Sequence, residues 1–314
     1  MYNTVDIIIV NWNSGHQLQI CLESINKIMT ADFELTQVVI VDNASTDESL
    51  KGSKYMNLPF RFVNNSNNRG FATACNQGAL GSTADFLLFL NPDTILFDNS
   101  LSKPIAFMQL PTSSDVGIVG IQLVDENSHI ARSCSRFPSA GIIITQALGL
   151  NRLPGLKHLS QAMIEWDHTS TRQVDQVIGA FFLVRRSVFV SLNGFDERFF
   201  VYFEEVDLSL RARQMGWRSV YLTDSQAFHA GCGTSDQVKA KRLFYSLRSR
   251  ILYGYKHFSF FSASMTLMAT LCIEPFARLT LANVRLSVTQ ISEIFKAYLL
   301  LFKDLPHIFR KINS

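Results

Sequence analysis

The 314-residue sequence has no Gly-X-Y period, no sustained heptad block and no internal repeat, which excludes collagen, coiled-coil and solenoid architectures. Cysteine is scarce. The five residues Cys21, Cys75, Cys134, Cys232 and Cys272 form no CxxC pair, and an odd set of this kind speaks for reduced thiols in a cytosolic setting, against a disulfide scaffold or a zinc knuckle. No signal peptide is expected, because Asp6 interrupts the opening apolar run and Val5–Val10 is only strand length. The first strand is followed by Asn11-Trp12-Asn13-Ser14-Gly15-His16, with one glycine and no GxGxxG. That removes a dinucleotide-dependent oxidoreductase, and the missing basic, glycine-rich loop removes a sugar nucleotidyltransferase. The strongest later apolar stretch, Phe258–Ile273, stops at Glu274-Pro275, short of the roughly 20 residues a spanning helix needs.

What is present is a real core: 47% hydrophobic and 18% charged residues exclude disorder over most of the chain. The net charge of +3 hides a division. Residues 1–238 carry 17 Lys+Arg against 23 Asp+Glu, whereas residues 239–314 carry 12 against 3. A basic tail calls for an anionic partner, nucleic acid or a membrane surface. From Phe276 to Phe309 its apolar residues lie among Arg278, Arg285, Lys296, Lys303, Arg310 and Lys311. This pattern reads as an interfacial membrane segment, with a helical subdomain packed on the core as the alternative. No recognised nucleic-acid module accompanies the charge, so nucleic acid is not expected as a partner.

Along the chain, Val5–Val10, Gln37–Val41, Arg61–Val63 and Phe86–Leu90 read as strands, and Gln17–Met29 and Phe71–Leu80 as helices. Their alternation predicts an α/β fold with a mixed, mostly parallel sheet flanked by helices. Val116–Val124, Val177–Val184 and Ser219–Leu222 add strands, with His229 in the loop beyond; Ser187–Leu192 and Glu204–Met215 add helices. Two parts are expected: a catalytic domain over 1–238 and a helical, basic and apolar extension over 239–314.

Ligands of such sheets bind at the carboxyl ends of the strands. Asn11 and Asn13 follow the first strand, Asp42-Asn43 the second and Asn91-Pro92-Asp93 the fourth, although Asx residues are also ordinary turn formers. Asp93 is the best metal candidate, since hard divalent ions take oxygen ligands and leave room for substrate phosphates. His229 can add a nitrogen for Mn²⁺ or Mg²⁺, or be a plain loop histidine. Asp42 can accept a nucleobase N–H, while Ser45 and Thr46 can cap a following helix. Glu204, Glu205 and Asp207 suit a helix start electrostatically. The apolar Phe199–Phe203 run before them can also raise a carboxyl toward the range of a general base. Arg211 can pair with Asp207 or Glu204 along one helix face, which leaves Glu205 the freer base.

These pieces resemble the inverting family-2 glycosyltransferases of the GT-A fold, and most of all the bacterial rhamnosyltransferases of O-antigen and cell-wall polysaccharide assembly. The matching stretches are VDIIIVNWNSG (5–15), VVIVDNASTD (38–47), NNRGFATACNQGA (67–79), FLLFLNPDT (86–94), the long run 179–217 and AFHAGCGTS (227–235). The resemblance implies that Asp42 binds the nucleobase, with Asn11 and Asn13 lining the same pocket and Asn68, Gly70 and Phe71 shaping the loop over the nucleotide. Asp93 ends the position of the family's metal-binding Asp-x-Asp motif, which begins here with Asn91, and His229 matches its late metal-ligand histidine. The family's base is usually the aspartate of a Glu-Asp pair, and Glu205 stands there, with Glu204 and Asp207 as understudies. Arg136 also matches a family element, without a role assigned to it.

The implied reaction is transfer of a sugar, L-rhamnose from dTDP-rhamnose in the first instance, to a polyprenyl-diphosphate-linked saccharide. It would use Mg²⁺ or Mn²⁺ in the cytoplasm, peripherally on the inner-membrane face. The alternatives are a transferase using another UDP-, GDP- or dTDP-sugar, and a non-catalytic sugar-nucleotide or membrane-binding module.

Overall fold

The computed structural model describes residues 3–28, 32–51, 57–153, 155–231 and 239–312. Met29, expected to close the first helix, and Cys232 lie outside the described residues. The strands are β1 (Asn3–Asn11), β2 (Phe33–Asp42), β3 (Phe60–Asn64), β4 (Phe86–Leu90), β5 (Thr94–Leu96) and β6 (Val116–Val124). They continue as β7 (Cys134–Ser135), β8 (Arg172–Val174), β9 (Gln176–Val177), β10 (Phe181–Arg185) and β11 (Arg218–His229). The helices are α1 (Gln17–Lys27), α2 (Phe71–Ala79), α3 (Ser102–Gln109), α4 (Ala140–Ala147) and α5 (Arg186–Ser191). After them come α6 (Glu204–Gln214), α7 (Lys239–His257), α8 (Phe260–Met268), α9 (Glu274–Val284) and α10 (Val288–Ile312).

The chain divides into two compact units. The first comprises 1–135, 167–197 and 204–234, and its centre is a nine-stranded sheet in the order β3-β2-β1-β4-β10-β6-β11-β5, with β8 added to β11. β1 runs parallel to β2 and β4, and β2 parallel to β3, whereas β10 is antiparallel to β4 and β6. The central strands are buried on both faces, which is why they read as unbroken apolar runs. Ile7, Ile9, Val38, Ile40, Leu88 and Leu183 pack with Leu18, Leu22 and Ile25 of α1. On α2 the small residues Ala72, Ala74 and Gly78 are buried, and Gly78 lies so close to β1 that an added Cβ would stand 2.4 Å from Ile8 Cγ2.

Three sequence expectations are corrected here. The single strand expected over Val177–Val184 is two, β9 and β10, broken at Ile178-Gly179-Ala180. β11 does not end at Leu222 but runs on to His229 through an irregularity between Leu222 and Gln226, so His229 lies on a strand and not in a loop. No helix follows β2 directly, so Ser45 and Thr46 cap none among the described residues.

The second unit comprises 136–166, 198–203 and 235–314. α7 packs against α10 and α8, and α4 against α8. The segment 198–203 is held by α7: Arg248 Nη1 donates to Arg198 O at 3.1 Å, Ser249 Oγ to Val201 O at 2.9 Å, and Phe200 stacks on Tyr245. Arg136 forms an ion pair with Glu165 and donates to Ser160 O, a local brace for its loop. The apolar stretch expected to stop at Glu274-Pro275 continues instead. α8 passes through a π-helical turn (Ala269–Ile273) into α9, giving a helix from Phe260 to Val284 that is long and apolar enough to cross a membrane. Pro275 stands directly after this π-helical turn, at the start of α9.

Candidate active site

The carboxyl ends of β1 and β2 are joined by their last residues. Asn11 and Asp42 are register partners, and Asn11 Nδ2 donates to Asp42 Oδ1 at 2.8 Å, to Ser49 Oγ at 2.8 Å and to Ser45 Oγ at 3.1 Å. Asn11 Oδ1 accepts from Ser14 Oγ. Asn11 is fully buried, so it stands under the site as a bracket and does not line it. Asp42 Oδ2 accepts the Ser45 N–H at 3.1 Å. Each Asp42 oxygen is thus held by one donor and keeps a second lone pair for an incoming N–H. Asn13 takes a left-handed backbone (φ 50) and accepts from Thr46 N at 2.7 Å, closing the loop after β1 onto the loop after β2.

Asn43, noted in the sequence at the end of the second strand but given no role there, organises the next loop. Its Nδ2 donates to Asn68 Oδ1 at 3.0 Å and to Gly70 O at 3.2 Å, and its Oδ1 accepts from Asn65 Nδ2 and Arg69 N. Asn68 Oδ1 also accepts Gly70 N at 2.9 Å. One buried amide therefore fixes the loop that ends in Gly70, whose φ of 88° and ψ of 165° suit glycine alone, and α2 begins at Phe71. The amide-rich run Asn64–Asn68 was the available signal.

Asn91, Pro92, Asp93 and Thr94 form a turn closed by Thr94 N to Asn91 O at 3.2 Å, and Asn91 N donates to Ala180 O. β5 leaves this turn antiparallel to β11, with Thr94 opposite His229. That register brings Asp93 Oδ1 to 3.3 Å from His229 Nε2, both side chains largely buried. Two donors on adjacent corners of an octahedral ion at about 2.1 Å would stand about 3 Å apart, so the pair fits a Mg²⁺- or Mn²⁺-type ion that keeps other positions for phosphate oxygens. Among the described residues no third His, Cys, Asp or Glu joins them. Below the turn the Cys21 thiol is buried and held protonated by desolvation and by the nearby Asp93 charge.

Glu204, Glu205 and Asp207 open α6. Asp207 is fully buried and accepts from Arg211 Nε at 2.7 Å, while Arg211 also donates to Leu192 O and Gly194 O. That ties Asp207 to the turn before the helix. Glu204 and Glu205 each bury one carboxylate oxygen without a hydrogen-bond partner. Burial, with the neighbouring Glu205 charge, pushes the Glu204 carboxyl well up. Burial lifts Glu205 to about 7 although backbone N–H groups of the first helical turn pull it back down. The two also raise the Cys75 thiol, after desolvation, so α2 lies within electrostatic reach of them. The chain enters α6 through Tyr202 (φ 66) and Phe203 (φ 73), two successive left-handed non-glycine residues, a strain of about 1–3 kcal/mol each. The structure therefore joins Asn11 with Asp42, Asn68 with Gly70, Asp93 with His229, and Glu204 with Glu205. No hydrogen bond or ion pair among the described residues links the Asp93 pair to the Glu204 pair.

The model of glycosyl transferase family 2 matches residues 6–190. The N-acetylglucosaminyl-diphospho-decaprenol L-rhamnosyltransferase of Mycobacterium tuberculosis is 28% identical over 246 residues, 73% of this chain and 76% of that protein. The rhamnosyltransferase WbbL of Escherichia coli is 26% identical over 258 residues, 79% and 92% of the two chains. Among solved structures, a mannosyltransferase from Pyrobaculum calidifontis, in complex with GDP-Man and Mn²⁺, aligns with a TM-score of 0.59 at 14% identity, covering 97% of this chain and 88% of that one. GalNAc-T7 with UDP, GalNAc and Mn²⁺ aligns with a TM-score of 0.54 at 19% identity, covering 72% and 43%.

Proposed function

The chain belongs to glycosyl transferase family 2 and is a glycosyltransferase of the GT-A fold, and from that premise we propose an inverting rhamnosyl transfer from dTDP-rhamnose to a polyprenyl-diphosphate-linked saccharide in surface-polysaccharide synthesis. The observation that carries the reading is the Asp93–His229 pair at 3.3 Å, on the same unit as a carboxylate raised to about 7 with one oxygen unpartnered. The sugar and acceptor come from the two relatives named for rhamnosyl transfer, one of which is also named for a decaprenol-diphosphate-linked acceptor. In this reading residues 1–238 carry the chemistry, and residues 239–314 hold the protein peripherally on the cytoplasmic face of the inner membrane.

Asp42 and Asn13 receive the nucleobase over the Asn11 bracket, with Asn68, Gly70, Phe71 and Asn91 around the remainder of the donor. Asp93 and His229 would hold a divalent ion, Mg²⁺ or Mn²⁺, whose chemistry would be to neutralise the diphosphate leaving group. Glu205 takes the proton of the acceptor hydroxyl. The acceptor oxygen forms its bond to the anomeric carbon from the face opposite the departing diphosphate, which leaves with the electron pair of the broken C–O bond. A single displacement inverts the anomeric centre and needs no covalent enzyme intermediate. Asp207 holds α6 in place through Arg211, and burial, together with the Glu205 charge, favours the protonated form of the neighbouring Glu204.

The test measures donor binding by calorimetry across dTDP-, UDP- and GDP-sugars with Mn²⁺ or Mg²⁺, and transfer to a polyprenyl-diphosphate-linked N-acetylglucosamine. Cation-dependent binding of dTDP-rhamnose, weakened at least about tenfold in Asp93→Ala, is expected. Glu205→Gln should bind donor normally and lose about 10²–10⁴ in turnover, the usual worth of a general base. Unchanged turnover in Glu205→Gln overturns the assignment of the base. Preference for another nucleotide sugar replaces rhamnose, and absence of both binding and transfer leaves a non-catalytic module.

A further inference from the structure

The helix from Phe260 to Val284 is inverted with respect to water. Its inward residues are small or polar: Ala263, Thr266, Ala269, Thr270 and Glu274 are buried. Its outward residues are large and apolar. Phe261 is 72% exposed, Met268 56% and Phe276 71%, with Met265 and Cys272 between them on the same face. The outward positions 261, 265, 268, 272 and 276 recur at helical spacing, so they form one stripe. Inside, Glu274 is ion-paired with Arg250 of α7 and with Arg278 one turn along. α10 shares the outward half of the pattern: Phe295, Leu299, Phe302 and Phe309 are exposed, while its buried face, Ile294, Ala297, Tyr298 and Leu301, is an ordinary apolar one. Of the 24 exposed large hydrophobic side chains among the described residues, 14 lie between Phe260 and Phe309. A carboxylate turned inward and phenylalanines turned outward make physical sense only if the outer medium is apolar.

We propose that this helix lies in the plane of an anionic lipid surface, with the Phe261–Met268–Phe276 face in the acyl boundary and without crossing the bilayer. Charge selects the occupant. The three acidic residues after residue 238 are each matched to a base, Glu274 to Arg250 and Arg278, Glu293 to Lys296, and Asp304 to Arg248. The 12 Lys+Arg against 3 Asp+Glu of residues 239–314 therefore leave a cationic surplus around the apolar stripes, and Lys241, Arg285, Lys303 and Arg310 are exposed. Basic residues beside an apolar helical face are the signature of attachment to anionic lipid. A second copy of the chain on the same face would bring two such surpluses together. Crossing would set Glu274 close to the bilayer midplane, near the middle of a 25-residue helix, and Arg278 one turn beyond it, still inside the hydrocarbon. The in-plane position deepens the membrane location proposed above and is independent of which sugar is transferred.

The test uses the full-length protein with vesicles of phosphatidylcholine, with and without phosphatidylglycerol, read by co-sedimentation. In a Cys232→Ser background, an environment-sensitive fluorophore on Cys272, at the middle of the helix, reports depth through lipids spin-labelled near the headgroup or near the chain end. Binding to the anionic vesicles, quenching by the shallow label, and at least a tenfold loss of binding in Phe261→Ser/Phe276→Ser are expected. Quenching by the deep label overturns the proposal in favour of a spanning helix. A concentration-dependent dimer that the double variant dissolves, with no vesicle binding, overturns it in favour of a second copy. Absence of both overturns it outright. Donor binding measured on the same samples separates failure of this proposal from failure of the transferase reading, since neither phenylalanine belongs to the donor site.

Discussion

Glu205 takes a proton only while ionised, and burial lifts its carboxyl to about 7. Turnover should therefore fall about tenfold per pH unit below that value, along an acid limb that a pH profile of kcat measures. Stability moves the other way. An unfolded glutamate titrates near 4.5, so the folded state binds this proton more tightly. The stability it lends is whole below pH 4.5 and is lost as pH rises through about 7. Glu205→Gln, which cannot ionise, should exceed the wild type by about 3 kcal/mol above that range and match it below. Urea denaturation at the two pH values checks this, and equal stabilities at high pH would show the group to be solvated. The sequence made Glu205 legible as the residue outside the Arg211 pairing, and the Asp207–Arg211 ion pair follows the four-residue helical spacing. It could not make Asn11 legible as a bracket. Whether an asparagine at a strand end turns inward depends on the neighbouring strand's register, here Asn11 opposite Asp42.

At the scale of elements, the central parallel strands and their helices were readable because burial on both faces leaves unbroken apolar runs. β11 was not. Thr223, Asp224 and Ser225 interrupt it where its register against β6 shifts, so its local pattern ends at Leu222 although the strand continues to His229. The same strand pairs with β5, and this non-local pairing is what brings His229 to Asp93. The helix beyond Ile273 was hidden for a similar reason: the partner that makes Glu274 acceptable there, Arg250, lies 24 residues upstream. α2 offers the sharpest test of packing at this scale. A methyl at Gly78 would stand 2.4 Å from Ile8 Cγ2 and 3.2 Å from Val41 Cγ2, on the strands that end in Asn11 and Asp42. Alanine favours the helix by up to about 1 kcal/mol, yet overpacking of this kind costs about 1–3 kcal/mol. Gly78→Ala should therefore lower stability and weaken donor binding together, by urea denaturation and calorimetry. A more stable variant would mean that β1 yields to the added methyl.

At the scale of the molecule, the two units hold carboxylates that answer pH in opposite senses. On the first unit, Glu204 and Glu205 are raised by burial. On the other unit, burial pushes Glu274 up, but the Arg250 and Arg278 charges and their hydrogen bonds outweigh it and hold the carboxyl below its ordinary value of 4.5. A depressed folded-state value gives stability that is present above the unfolded value and lost as pH falls through the folded one. Glu274 therefore opposes acid unfolding until it is protonated, after which Arg250, 9% exposed, is left in the interior without its carboxylate. Glu274→Ala imposes that state at every pH and should cost about 3–5 kcal/mol, the usual penalty for stranding one member of a buried ion pair. Replacing Arg250 as well, in Glu274→Ala/Arg250→Met, removes the stranded charge and should return most of the loss. Urea denaturation of the two variants at neutral pH compares these outcomes. If the double variant is no more stable than the single one, Glu274 holds the α7–α9 packing by shape and Arg278 alone, and the ion pair with Arg250 is not what permits a carboxylate on the inner face of an outward-apolar helix.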